Sequence, residues 1–171
     1  SHMSRITNQR EYLQEALRQM DIYTRHTWNT QTGLYWHMYD EPSGQLKGVQ
    51  WARGNGWVAM SYIELLQHLD PQSPEFRKHA DNFRRLMEGL LAVQDRQSRL
   101  WHTVLDHPET YLETSASAMI LSSLAHADRL GFYKPKDKSL IPNTWAALAA
   151  KVNAENHVID VSGGTMPEIL E

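Results

Sequence analysis

The sequence predicts an all-α fold: an incomplete α/α toroid of about five helices joined by short β-like rim strands. Two observations carry this expectation. Segments with apolar residues almost all round alternate with segments that are apolar on one face only, which implies an inner and an outer helical layer. Short extended stretches ending at Asp40, Asp106 and Asp160 punctuate that alternation at spacings of 66 and 54 residues, the mark of a repeating unit.

The first helix is expected over 8–27. Asn8 is its N-cap and Glu11 an approximate capping box, and Leu13, Leu17, Met20 and Tyr23 share one face. The turn-rich stretch 29–33 ends it, followed by an extended Leu34–Asp40 and a loop at Pro42-Ser43-Gly44. A helix from about Asn55 to Leu69 is apolar nearly all round through Trp57, Val58, Ala59, Met60, Ile63, Leu65 and Leu66, so it belongs inside. Asp70-Pro71 closes it. Ser73 then caps an amphipathic helix over 74–94 with Pro74 at its first position.

An extended Leu100–Asp106 leads to a second nearly all-apolar helix, 113–130, with Gly131 as C-cap. An amphipathic helix over 143–154 carries Trp145, Leu148, Ala149 and Val152 on one face. His157–Asp160 is extended again and runs into Gly163-Gly164. Ser1-His2-Met3 resembles the scar of a cleaved tag, so residues 1–3 are set apart from a single domain over 4–171. Two hairpins and a leading outer helix do not close a ring. Apolar faces left at the unclosed edges are expected to drive self-association.

Composition excludes several classes of function. Seventeen basic against twenty acidic residues give a net charge of −3, with no footprint for nucleic acid or an anionic membrane. No apolar run approaches the roughly 20 residues of a membrane span. The expected location is cytoplasmic. Zero cysteines remove disulfides, thiolate catalysis and Cys-ligated metals. Nine histidines include one from the tag, and none shows the i, i+4 spacing with an acid that zinc enzymes use. No metal and no cofactor is expected. There is no Gly-x-Ser-x-Gly elbow, Walker motif or dinucleotide fingerprint.

Six Trp and seven Tyr against three Phe favour rings with a polar handle, suited to sugar faces as well as to helix seams. The densest cluster is Gln50-Trp51-Ala52-Arg53-Gly54-Asn55-Gly56-Trp57. There Arg53 could grip a carboxylate with its planar fork, while Trp51 and Trp57 could stack on a sugar ring. The same residues also suit a packed turn in which the tryptophans fill core and Arg53 pairs with a structural acid. On residues alone, packing weighs slightly more. In Tyr35-Trp36-His37-Met38-Tyr39-Asp40, echoed by Leu100–Asp106, His37 could bond sugar hydroxyls or move protons. Asp40 and Asp106 read first as turn residues.

Four stretches together resemble glycoside hydrolase family 105, the unsaturated rhamnogalacturonyl hydrolases, which are related to the unsaturated glucuronyl hydrolases of family 88. They are Trp51–Trp57, Thr32-Gly33-Leu34-Tyr35-Trp36-His37, Leu100–Asp106 and Tyr111-Leu112-Glu113-Thr114-Ser115-Ala116-Ser117-Ala118-Met119. The resemblance runs from about residue 5 to the end. It implies a six-hairpin α/α barrel acting on the 4,5-unsaturated uronic acid at the end of pectin-derived oligosaccharides. Trp51, Arg53, Trp57 and His37 would hold the uronate. The family's acid/base aspartate lies in a Trp-x-Asp-Asp-type segment upstream of the helix that begins here at Asn8. This chain has no such segment, so no catalytic residue is assigned. The expected partner is a small oligosaccharide. The competing expectation is a non-catalytic helical module that binds a sugar acid or a partner protein; another toroid enzyme, such as a sugar epimerase, is the weaker third.

Overall fold

Layering follows from which helices can bury all their faces. The computed structural model describes residues 2–163. Within them lie α1 (His2–Thr7), α2 (Glu11–Thr27), β1 (Trp28–Asn29), β2 (Leu34–Tyr35), β3 (Met38–Asp40), β4 (Gln45–Lys47), α3 (Ala52–Leu66), α4 (Pro74–Ala92), α5 (Thr114–Leu130) and α6 (Leu140–Ala149). Nine of the fifteen residues of α3 and eight of the seventeen of α5 are buried, against six of nineteen in α4. The inner and outer layers are therefore as the patterning predicts.

Small residues let α3 and α5 run side by side. Ala52, Ala59, Ala116 and Ala127 have no exposed surface, and a Cβ on Gly56 would stand 3.0 Å from the Cβ of Met119. Gly56 lies one turn into α3 and Met119 about one turn into α5, and the two helices pack against each other extensively from there, so they run parallel with their N-termini at the same rim. Phe83, Leu86, Met87 and Leu90 of α4 fill the core behind them with Trp101, whose indole N–H donates to the Leu90 carbonyl at 2.6 Å. Gly89 gives α4 its close approach to the loop before β2, since a Cβ there would meet the Thr32 carbonyl oxygen at 2.6 Å.

The termini of α4 and α5 match expectation. The Ser73 hydroxyl accepts from the Phe76 amide, and Gly131 takes the left-handed conformation at φ 81°. Other boundaries differ. Asn8 is not an N-cap: its φ of 57° breaks α1 from α2, and Arg10 leads α2 without a side-chain cap. His2 and Met3, set apart from the domain in the sequence reading, lie within α1. α3 starts at Ala52, ahead of Asn55, so Arg53, Gly54 and Asn55 are helical. It is not apolar-buried all round either, because Trp57 and Met60 are exposed. α6 starts and ends earlier than predicted and buries Leu140, Thr144 and Leu148, leaving Trp145 65% and Val152 47% exposed. Pro142 fits in the first turn of α6, where its missing N–H has no helical partner to lose.

Only the first expected strand contains regular sheet. β1 pairs antiparallel with β2, and β3 with β4 in the register Met38↔Lys47, Tyr39↔Leu46, Asp40↔Gln45. Leu100–Asp106 and His157–Asp160 form isolated bridges instead, Trp51↔Val104, His102↔Leu112 and Val152↔Val158. Gly164 lies outside the described residues.

Among the described residues, buried side-chain polar atoms are paired except at Gln50, Trp51 and His79. The hydroxyls of Thr24, Tyr35 and Tyr62 bond one another in a ring, at 3.1, 3.1 and 2.7 Å. Beside it His79 is 2% exposed, and its Nδ1 has no partner among the described residues. Burial pushes its proton affinity below the ordinary value of 6.5, outweighing Asp21, whose Oδ1 lies 3.8 Å from Nε2. As pH falls, the unfolded chain takes up this proton before the folded one. Stability is therefore full above about pH 6.5 and falls below it. Urea midpoints of the wild type should drop from about pH 7 to about pH 5, and His79→Gln should flatten part of that drop. Parallel curves for the two proteins would contradict this account.

Candidate active site

The parallel N-termini of α3 and α5 draw loops to the rim, because first-turn amides lack helical acceptors. The Ala52 amide donates to the Thr103 carbonyl at 2.9 Å, and the Leu105 amide to the Gln50 carbonyl at 3.0 Å. The Thr114 amide donates to the Asp160 carbonyl at 2.9 Å. These bonds hold three separate stretches, around residues 50, 104 and 160, against the two inner helices.

Asn55 registers the segment after β2 on α3. It is 1% exposed; its side-chain oxygen accepts from the Tyr35 amide at 2.8 Å, and its Nδ2 donates to the carbonyls of Tyr35 at 2.9 Å and Trp51 at 3.0 Å. His37 follows two residues after Tyr35, with its backbone amide donating to the Val49 carbonyl. Its ring lies 4.8 Å from that of Trp51, tilted by 49°. Desolvation pushes the His37 proton affinity below the usual range, so near neutral pH the ring is uncharged and can both donate and accept.

Arg53 stands against the same indole, its guanidinium carbon 5.0 Å from the ring centroid. It pairs with no acid among the described residues. Nη1 donates to the Ser162 carbonyl at 2.8 Å and Nη2 to that of Gly163 at 2.6 Å. The Trp51 indole N–H and the Gln50 side-chain oxygen are buried without partners among the described residues. Trp57, one turn beyond Arg53, is 58% exposed. With His37, Trp51, and Met20 and Tyr23 of α2 it lines an open groove of about 860 Å³. The structure thus brings His37, Trp51 and Arg53 together and sets Trp57 on an adjoining wall.

The two rim aspartates are placed differently from this cluster. Asp40 ends β3 beside the β3–β4 turn, where its carboxylate accepts from the Ser43 hydroxyl and pairs with Lys47 at 3.0 Å. Those two contacts hold its carboxyl below the usual range. Asp106 is exposed in a turn. His107 is also exposed, its Nδ1 2.7 Å from Glu109, which raises its proton affinity. Contrary to the spacing expectation, His68 and Glu64 do form an i, i+4 pair at 3.2 Å, and His2 completes a trio of donors. His2 is the exposed member of the trio, and Glu64 and His68 are half-buried. Glu113, which sequence reading left out of the site, is a fully buried carboxylate at the start of α5. Its place directly before a Thr-Ser-Ala helix start was the available signal.

Paired inner and outer helices with loops gathered at one rim define an α/α-toroid protein. The sequence profile of Glycosyl Hydrolase Family 88 matches residues 1–168, and the chain belongs to that family. It is 34% identical over 164 residues to the unsaturated rhamnogalacturonyl hydrolase YesR of Bacillus subtilis (strain 168), covering 95% of this chain and 46% of YesR. Protein Atu3128 of Agrobacterium fabrum is 36% identical over 158 residues, covering 84% of this chain and 66% of that protein. The crystal structure of a possible GH105 family member from Salmonella enterica serovar Paratyphi A superposes with a TM-score of 0.91. Its sequence identity is 25%, over 96% of this chain and 44% of that one. The chain thus spans about half the length of YesR and of the Salmonella protein.

Asn55→Ala should destabilise the fold by about 1–3 kcal/mol, because it strands the buried amide and carbonyl of Tyr35. Urea denaturation measures the loss, and a change within about 0.5 kcal/mol would remove Asn55 from this role.

Proposed function

We propose that the protein is a glycoside hydrolase that hydrates the 4,5-double bond of an unsaturated uronic acid. The substrate is the uronate at the end of pectin-derived rhamnogalacturonan oligosaccharides, and this chain supplies the uronate-holding part of the site. The observation that carries the reading is Arg53: a guanidinium oriented by two neutral carbonyls against Trp51, with no acid paired to it among the described residues. A uronate carboxylate suits that fork, and the faces of Trp51 and Trp57 suit a sugar ring. Neutral His37 would bond a hydroxyl. Family membership and the likeness to YesR support the reaction class.

In that reaction a general acid protonates the vinyl-ether carbon–carbon double bond, and water adds to the resulting cation. The hemiketal so formed opens and releases the neighbouring sugar. Neither Asp40, tied to Lys47 and Ser43, nor exposed Asp106 is assigned as the acid. The proposed place of action is the cytoplasm; among the described residues no helix is long and apolar enough to cross a membrane. Exposed Trp145 on α6, with Val152 and Val158 after it, supports self-association through the unclosed edges. Light scattering at micromolar concentration should then give more than the monomer mass, and a stable monomer would contradict it.

Titrating the 171-residue chain with the unsaturated galacturonyl-rhamnose disaccharide should quench tryptophan emission. Arg53→Ala should weaken binding about tenfold or more, since a charge-assisted pair is lost. Turnover, followed as loss of the double bond's ultraviolet absorbance, should be undetectable with this chain, because general acid catalysis alone typically contributes about 10²–10⁴-fold. Turnover abolished by Asp40→Asn or Asp106→Asn would overturn the assignment.

A further inference from the structure

A carboxylate with no exposed surface must be fully bonded, and the partners of Glu113 reach beyond its own helix. Oε2 accepts from the Ala116 amide at 2.6 Å, and Oε1 from the Ser115 amide at 3.1 Å. The Ser115 hydroxyl bridges both oxygens at 2.8 and 3.0 Å. These are capping contacts, favoured by the positive end of α5. One further bond is not local: the Ser162 amide donates to Oε1 at 2.9 Å, 49 residues along the chain.

Ser162 is also the residue whose carbonyl accepts from Arg53 Nη1. A single residue therefore faces a buried anion through its N–H and a guanidinium through its C=O. Thr114 fixes the same segment just upstream: its hydroxyl donates to the Ile159 carbonyl at 2.7 Å and its amide to that of Asp160. Lys151 holds the Asp160 carboxylate at 2.6 Å.

We propose that Glu113 is a positioning residue for uronate recognition: by fixing Ser162, it sets the pair of carbonyls that aims Arg53, without touching the guanidinium itself. The inference rests on the reading of Arg53 as the partner of the uronate carboxylate. A direct Glu–Arg pair would orient the fork equally well but cancel its charge. Two carbonyls orient it through two of its five N–H groups and leave the full charge for an incoming anion.

Two variants of the 171-residue chain test this. Glu113→Asp keeps a preferred N-cap on α5 but is one methylene short of Ser162. Ser162→Pro removes the amide donor and leaves Glu113 in place. Each should weaken disaccharide binding about tenfold, the worth of one charge-assisted hydrogen bond, while Glu113→Asp leaves α5 amide protection against hydrogen exchange intact. In the Arg53→Ala background Glu113→Asp should add less than about twofold, because both changes act through one contact. In Glu113→Asp the Ser162 amide should exchange about tenfold faster. Unchanged affinity in both variants, or losses that add in the double mutant, would overturn the inference while leaving the role of Arg53 standing. Wild-type affinity in Arg53→Ala would instead bring down the uronate reading and this inference with it.

Discussion

Two parallel helices with their N-termini at one rim create a requirement that shapes everything around them. The first amides of α3 and α5 point the same way and have no acceptors of their own. Gly56 lets the two helices pack closely against Met119. Acceptors come from separate stretches of the chain and, at α5, from the capping side chain itself. Thr103 serves Ala52, Asp160 serves Thr114, and Glu113 serves Ser115 and Ala116. The loops that build the rim are held there because the helix ends need them.

The same requirement makes the rim suited to an anion. Two helix N-termini contribute positive potential, and Arg53 adds a full charge that the surrounding carbonyls orient but do not neutralise. Glu113, the one buried acid among the described residues, is used up by the cap and by Ser162. Asp40, the acid nearest to His37 in sequence, is turned into a hairpin with Lys47. Charge is thus sorted, with the negative groups bound in caps and turns and the positive one kept beside the aromatic wall.

The layers were legible because periodicity reports burial directly. Ser73-Pro74 and Gly131 marked their helix ends for local reasons that the fold respects. The start of α3 at Ala52 was not legible, because Gly54 read as the end of a loop ahead of Asn55. Gly56 lies in the helix as expected, and Met119 at 3.0 Å is the tertiary contact that a residue without a side chain permits there. For α6 the buried face passes through Leu140, Thr144 and Leu148, a register that includes a threonine and leaves out Trp145, so hydrophobicity alone chose the wrong stripe. At the site, His37, Trp51 and Arg53 stood out by residue type. The link from Glu113 through Ser162 did not, because it runs through backbone groups that every residue carries.

The hydroxyl ring of Thr24, Tyr35 and Tyr62 has a consequence of its own. Three hydroxyls closed on one another hold three protons for three contacts, so each donates once and accepts once. Such a ring can be ordered clockwise or anticlockwise with the same number of bonds, and passing between the two senses requires all three protons to turn together. The heavy atoms stay fixed while the dipole circulation reverses. The joint between α2, the segment at β2 and α3 thereby has two proton orders on one set of heavy atoms, and the Asn82 side chain, which also bonds the Tyr62 hydroxyl, makes the two unequal.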